Sequence, residues 1–79
     1  MATSKLISKK VIDFLNLRIK QEEESARLYE QMSLFLTDEG YMNLGKLFRK
    51  YADKELVHAD WAKKYLLDFG QTPALAQLV

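Results

Sequence analysis

The sequence predicts an all-α fold in which a long antiparallel helical hairpin dimerises into a four-helix bundle. Three observations support this prediction. The 79 residues include only three Gly and one Pro, which leaves little turn chemistry for a sheet. Two long stretches are rich in helix formers and space their apolar side chains by threes and fours. One short turn-like cluster separates them, so the two helices are expected to be antiparallel neighbours.

The first helix is predicted over about residues 4–36, where no Gly or Pro interrupts a run of good helix formers. Its stripe includes a carboxylate, Glu22, among mainly apolar positions. The members of the stripe are Val11, Leu15, Arg18, Glu22, Ser25, Tyr29, Met32 and Leu36. Four further apolar residues lie off this stripe and are assigned to additional bundle contacts: Ile12, Ile19, Leu28 and Phe35. Thr37 or Asp38, which follow it, are expected to cap the next helix.

The second helix is predicted over about residues 39–69. Its stripe is expected to face inward, and the spacing between successive members alternates between three and four residues throughout. That stripe consists of Tyr41, Leu44, Phe48, Tyr51, Glu55, His58, Ala62, Tyr65 and Phe69. Leu47, Leu66 and Leu67 are assigned to additional contacts. Gly70 is placed to end the helix, and Thr72-Pro73 supports the stop. Residues 70–79 are then a short tail, and residues 1–79 form a single domain.

Composition excludes several classes of function. The chain has no Cys, which rules out disulfides, thiolate zinc sites and iron–sulfur clusters. Its net charge is +1 with the charges mixed along the chain, so nucleic acid is not expected as a partner. The apolar runs fall far short of the roughly 20 residues that cross a bilayer, so no membrane partner is expected either. A cytoplasmic location is the resulting expectation.

A metal site is indicated by carboxylates and an imidazole on apolar stripes. Glu55 and His58 lie three residues apart, so both project from one helix face about a turn apart. Glu22 occupies an equally unusual position on the first helix. Buried charges of this kind are costly without compensation. The neighbouring Glu23 and Glu24 are instead assigned to a solvated face, with Glu23 paired to Arg27 at i+4.

Dimerisation would complete this site. Two helices of about 45 Å, at 1.5 Å per residue, cannot bury both stripes as an isolated hairpin. A two-fold axis doubles Glu22, Glu55 and His58 into four carboxylates and two imidazoles, a set typical of di-iron and di-manganese bundles. Iron(II) and manganese(II) suit such oxygen-rich ligands, and zinc is compatible with the imidazoles.

From Leu15 to Tyr65 the chain resembles the first two helices of a ferritin subunit, within the ferritin-like superfamily. The resemblance rests on the order and spacing of Leu15-Asn16, Ile19, Glu22, Tyr29, Met32-Ser33, Lys46, Phe48 and Glu55-Leu56-Val57-His58-Ala59. It covers the first half of such a subunit. Encapsulated ferritins are also two-helix chains, and they dimerise. The resemblance therefore implies a homodimer, with a higher homo-oligomer or an encapsulating protein shell as further expectations.

The resemblance also implies roles for the site residues. In ferritins the residue matching Glu22 is a terminal iron ligand, the one matching Glu55 bridges two irons, and the one matching His58 binds one iron. Tyr29 matches a tyrosine that lies beside the metals. The expected function is oxidation of iron(II) by O₂ or peroxide at a site shared across the dimer, in iron storage or detoxification.

Two alternatives remain open from the sequence. The first is a non-catalytic helical interaction module that holds a structural metal or none. The second, with less support, is a peroxide-reducing protein like the rubrerythrins. That family couples its di-iron site to a cysteine-ligated iron domain, and this chain has no Cys.

Overall fold

The computed structural model describes residues 7–75 and consists of two α-helices in an antiparallel hairpin. Helix α1 spans Lys9–Asp38 and helix α2 spans Met42–Asp68. The hairpin measures 54 × 23 × 15 Å, so it is a single layer of two rods. The predicted all-helical hairpin is confirmed. Within the described range, neither helix is long and apolar enough to cross a membrane.

Local capping sets the start of α1. The Ser8 hydroxyl accepts a hydrogen bond from the Val11 backbone N–H at 3.3 Å, which satisfies one of the free donors of the first turn. The helix therefore starts later than the sequence prediction, whose residues 4–6 lie outside the described range. The prediction that Thr37 or Asp38 caps α2 is wrong, because both still belong to α1 and α2 begins after Tyr41 without a side-chain cap.

Two residues after its last residue, each helix is followed by a glycine in the left-handed region, Gly40 at φ 92° and Gly70 at φ 75°. After Gly40, the Tyr41 N–H donates to the Leu36 carbonyl oxygen at 2.8 Å. After Gly70, the N–H of residue 71 donates to the carbonyl oxygen of residue 66 at 2.9 Å. These are Schellman closures, in which glycine avoids the steric cost that a Cβ brings at positive φ. The predicted role of Gly70 is confirmed.

The two helices meet along a narrow seam of mostly small residues. On α2 the seam residues recur every seven positions: Gly45, Ala52, Ala59 and Leu66. On α1 they follow the same spacing: Ile19, Ala26 and Ser33. The Ser33 hydroxyl donates to the Gly45 carbonyl oxygen at 2.6 Å, which fixes the register. Because the helices are antiparallel, moving seven residues back along α1 and seven forward along α2 brings Ala26 level with Ala52. A further seven residues bring Ile19 level with Ala59.

This seam corrects the predicted inward stripe. Tyr41, Leu44, Tyr51 and Tyr65 of that stripe are 38–59% exposed, whereas Leu66, assigned to a secondary contact, is fully buried. The physical reason is that small side chains let two helices approach closely, so the hairpin packs through its alanines and glycine. The large apolar stripe is turned to one side of the seam.

The hairpin therefore has two different flanks. Because successive residues rotate by about 100°, Glu22 and Glu23 fall on opposite sides of the seam. On the Glu23 side, Lys63 donates to Glu23 at 2.6 Å and Arg49 donates to Glu30 at 3.0 Å. Glu23 thus bonds across the hairpin, and its predicted pairing with Arg27 is wrong. The other side, which we call the aromatic flank, carries Leu15, Glu22, Tyr29, Met32, Leu44, Phe48, Tyr51, Glu55, His58 and Tyr65.

Candidate metal centre

Three of the predicted site residues come together on the aromatic flank. Glu22, near the middle of α1, faces Glu55 and His58 of α2, and one ligand atom from each lies within 4.8 Å of the other two. Helix geometry presents Glu55 and His58 on one face, one turn apart. The hairpin register brings Glu22 opposite them. Burial is graded across the group, since Glu22 is buried, Glu55 is half-buried and His58 is exposed.

The Glu22 carboxylate is the most constrained of the three groups. Its side chain is only 9% exposed. One oxygen, Oε1, accepts a hydrogen bond from the Arg18 guanidinium at 2.9 Å. The other, Oε2, lies 3.3 Å from His58 Nδ1, yet it is buried and has no hydrogen-bond partner within residues 7–75. A buried, incompletely satisfied carboxylate oxygen is costly, so this atom is poised to accept a proton donor or a cation.

Arg18 also belongs to the site, although the sequence pattern indicated it only as a member of the α1 stripe. Its guanidinium bonds Glu22 and lies 3.4 Å from the Gln21 side-chain oxygen. The spacing of four residues between an arginine and a glutamate on one helix was the available signal. Its side chain is 47% exposed, so the guanidinium sits at the boundary between the site and solvent.

An open groove of about 410 Å³ lies beside these groups. It is lined by Phe14, Leu15, Arg18, Glu22, His58, Trp61, Ala62 and Tyr65. The Trp61 ring packs against His58, with 5.4 Å between the ring centroids. The groove opens on the aromatic flank, opposite the Glu23–Lys63 and Glu30–Arg49 pairs, and Glu22 and His58 contribute to its wall.

Comparison with known proteins identifies the family of this hairpin. The family model for the ferritin-like domain matches residues 12–79, which is most of the chain. The chain belongs to the ferritin-like family. No match was found among curated proteins or among solved structures. Ferritin-like proteins usually bind iron and form oligomers, so membership indicates an iron-related function and agrees with the resemblance seen in the sequence.

The donor set of this ferritin-like hairpin suits a divalent cation. Two carboxylates and one imidazole are ligands that iron(II) and manganese(II) accept, and zinc also binds imidazole. The orphaned Glu22 Oε2 lies 3.3 Å from His58 Nδ1, and one ligand atom of Glu55 lies within 4.8 Å of ligand atoms of both residues, an arrangement that a shared cation would satisfy. The residues therefore fit a metal ion. A single hairpin provides three such side chains, which is fewer than a ferritin-like centre with two metals requires.

Tyr29 lies apart from the three ligand candidates, two helical turns beyond Glu22. Its half-buried ring packs against Phe48 and Tyr51, with ring centroids 6.0 Å and 5.5 Å away. Hydrogen bonds within the described residues include none from its hydroxyl. Tyr51 precedes Glu55 by one turn, so this aromatic cluster adjoins the candidate centre along the flank.

Proposed function

We propose that two copies of this ferritin-like hairpin form a homodimeric four-helix bundle that binds iron(II) and oxidises it with O₂ or peroxide. The role would be iron storage or detoxification. The observation that carries the proposal is the buried Glu22 carboxylate. Its Oε2 has no hydrogen bond among the described residues and lies 3.3 Å from His58 Nδ1, and Glu55 completes the cluster of three ligand candidates. An oxygen in this position gains a partner when a cation binds.

The aromatic flank supports the dimer. Four of its large side chains are 37–46% exposed in the hairpin, although they belong to the apolar stripes of the two helices. They are Met32, Leu44, Tyr51 and Tyr65. Packing a second copy on this flank would remove apolar surface from water, which is favourable by about 25 cal/mol per Å². An isologous contact also brings a second set of Glu22, Glu55 and His58 to the first. The combined set is four carboxylates and two imidazoles.

Each ligand has a distinct task in this arrangement. As the resemblance to ferritins implies, the Glu55 carboxylates would be shared between two irons, each His58 imidazole would hold one iron, and each Glu22 carboxylate would be a terminal ligand of one iron. Carboxylate oxygens are hard donors that stabilise iron(III) relative to iron(II), so they favour loss of an electron. Two bound iron(II) ions together supply the two electrons that reduce O₂ to hydrogen peroxide, or peroxide to water. The groove beside Arg18 and Trp61 provides an approach for small reactants.

Tyr29 is assigned a supporting role within the proposal. Its hydroxyl would donate a hydrogen bond to a ligand carboxylate and hold that carboxylate in position. Replacing Tyr29 by Phe keeps the packing against Phe48 and Tyr51 and removes only the hydroxyl. We expect Tyr29→Phe to slow oxidation without changing the number of irons bound. An unchanged rate would remove Tyr29 from the site.

An anaerobic titration with iron(II), followed by air, tests the proposal. We expect saturation near two irons per dimer and a transient ferric absorbance after air is admitted, with light scattering on the same sample to establish the dimer. Glu22→Gln, which keeps the shape and removes the charge, should abolish rapid oxidation. Glu24→Gln is the matched control, since Glu24 is exposed on the same helix. Failure of the wild-type dimer to take up iron saturably would refute the proposal.

One observation favours a second candidate, the non-catalytic interaction module. Arg18 and His58 already approach Glu22 at 2.9 Å and 3.3 Å, so the charged cluster holds together without a cation. A structural metal, if bound, would then raise the melting temperature and support no turnover. His58→Ala distinguishes the two functions. It abolishes oxidation and leaves a folded dimer if the protein is an oxidase, and it removes a metal-dependent rise in melting temperature if the metal is structural.

A further inference from the structure

The geometry points to Arg18 as a displaceable counterion of Glu22 that sets how tightly the centre holds a divalent cation. In the metal-free protein its guanidinium neutralises the buried carboxylate and keeps it on the aromatic flank. When a cation binds, Arg18 moves to solvent and Glu22 turns its charge to the cation. This inference deepens the proposed function and rests on the metal site described there.

The contact between the two side chains is asymmetric, and this asymmetry decides which partner moves. Arg18 is joined to Glu22 Oε1 at 2.9 Å, but its side chain is 47% exposed and that of Glu22 is 9% exposed. In the single hairpin, water can solvate the guanidinium as soon as it leaves, whereas Glu22 has no such alternative. The long arginine side chain can therefore exchange partners, while the carboxylate stays in place for the cation.

The charges of the cluster favour such an exchange. In one hairpin Glu22 and Glu55 contribute −2 and Arg18 contributes +1, which leaves −1 around His58. A divalent cation would bring the total to +1 with Arg18 in place and to zero with Arg18 in solvent. A guanidinium that remained on Oε1 would repel a cation bound at Oε2 of the same carboxylate at short range. Cation binding and the Arg18–Glu22 ion pair are therefore in competition.

The consequence is a centre that is assembled in advance and releases its cation readily. The ion pair holds Glu22 in position before any cation arrives, and its re-formation lowers the cost of cation release. A centre that oxidises iron and passes it on needs this exchange, whereas a permanent structural site would gain from an apolar side chain at position 18. Removing the guanidinium should therefore weaken the apo protein and tighten cation binding.

Cobalt(II) is a suitable probe because it resists oxidation by air in such sites and reports binding by its visible absorption. The test compares Arg18→Met with Arg27→Met. The second variant is the control, because it removes the same charge from an exposed position further along α1. Arg18→Met should bind cobalt about tenfold more tightly, the size expected for removing a unit charge about 5 Å from a divalent cation in a largely aqueous medium. Its metal-free melting temperature should fall by about 2–4 °C. Arg27→Met should change neither quantity.

The outcomes separate this inference from the proposed function. If the wild-type protein binds no cobalt and no iron, the metal site is refuted and the inference falls with it. If the wild-type protein binds cobalt but Arg18→Met binds it equally or less tightly, only the inference is overturned, because Arg18 then positions Glu22 for the cation. Arg18→Lys keeps the positive charge and should bind cobalt with nearly the wild-type affinity. A tenfold gain in Arg18→Lys would likewise overturn the role of the charge.

Discussion

The substitution Gly45→Ala tests whether close approach of the two helices holds the hairpin together. Gly45 is buried in the seam near the start of α2, where its carbonyl oxygen accepts the Ser33 hydroxyl at 2.6 Å. A Cβ added at Gly45 would overlap the Thr37 hydroxyl oxygen and lie 3.2 Å from the Ser33 carbonyl oxygen. The new methyl group would therefore push α1 and α2 apart at the loop end.

Two opposing effects determine the magnitude. Replacing Gly by Ala within a helix stabilises it by about 1 kcal/mol, because Ala loses less backbone entropy on folding. Overpacking a close contact costs about 1–3 kcal/mol. We therefore expect Gly45→Ala to lower the free energy of unfolding by about 1 kcal/mol. Thr37→Ala removes the overlapping oxygen, so the double variant should recover this loss, with a coupling energy of at least about 1 kcal/mol.

Urea unfolding followed by far-ultraviolet circular dichroism measures these differences at a fixed protein concentration, since a dimer's stability depends on concentration. Thr37→Ala alone should lie within about 0.5 kcal/mol of the wild type, because Thr37 is exposed. Iron uptake should be unchanged in Gly45→Ala, since Glu55 lies about 15 Å further along α2 at 1.5 Å per residue. A Gly45→Ala variant more stable than the wild type, or no coupling with Thr37→Ala, would refute a tight seam.

Three further predictions concern single side chains. Ser33→Ala removes the buried hydrogen bond to the Gly45 carbonyl oxygen and should cost about 1–2 kcal/mol in urea unfolding; a neutral effect would mean that the bond contributes nothing. Lys63→Met breaks the 2.6 Å pair with Glu23, in which both side chains are 26% exposed, and should cost about 0.5–1 kcal/mol, less in high salt; a cost independent of salt would contradict an ionic origin. Trp61 is the single tryptophan and lies beside the candidate centre, so cobalt(II) should quench its fluorescence in proportion to binding; unquenched emission at saturation would place the bound ion elsewhere.

Local spacing predicted much of the fold and the three clustered ligand candidates. Gly70 ends α2 because its φ of 75° suits glycine, a preference that depends on backbone sterics and is visible in the sequence. Glu55 and His58 share a helix face by their spacing alone, and Glu22 was identified because a carboxylate interrupts an apolar stripe. The structure brings all three within 4.8 Å. The three ligand inferences needed only helix periodicity.

The orientation of the helices about their axes could not be obtained in the same way. In the proposed dimer, each helix contacts its neighbour within the chain and also the second copy. It therefore carries apolar side chains for both contacts. The largest side chains, such as Tyr51 and Tyr65, gave the stronger pattern and were taken to face inward. The hairpin instead packs through Ala52 and Ala59, whose spacing of seven was the weaker signal.

The narrow seam explains why the metal candidates sit on a flank and not between the two helices. Where Gly45, Ala52 and Ala59 bring the backbones close, there is no room for an ion and its ligands. Glu22 and His58 must therefore project to one side, where 46% of the His58 side chain is exposed. A centre built on such a flank is completed only by what packs against it. In the proposed dimer, assembly and cation binding would consequently be one coupled equilibrium, in which each stabilises the other by mass action.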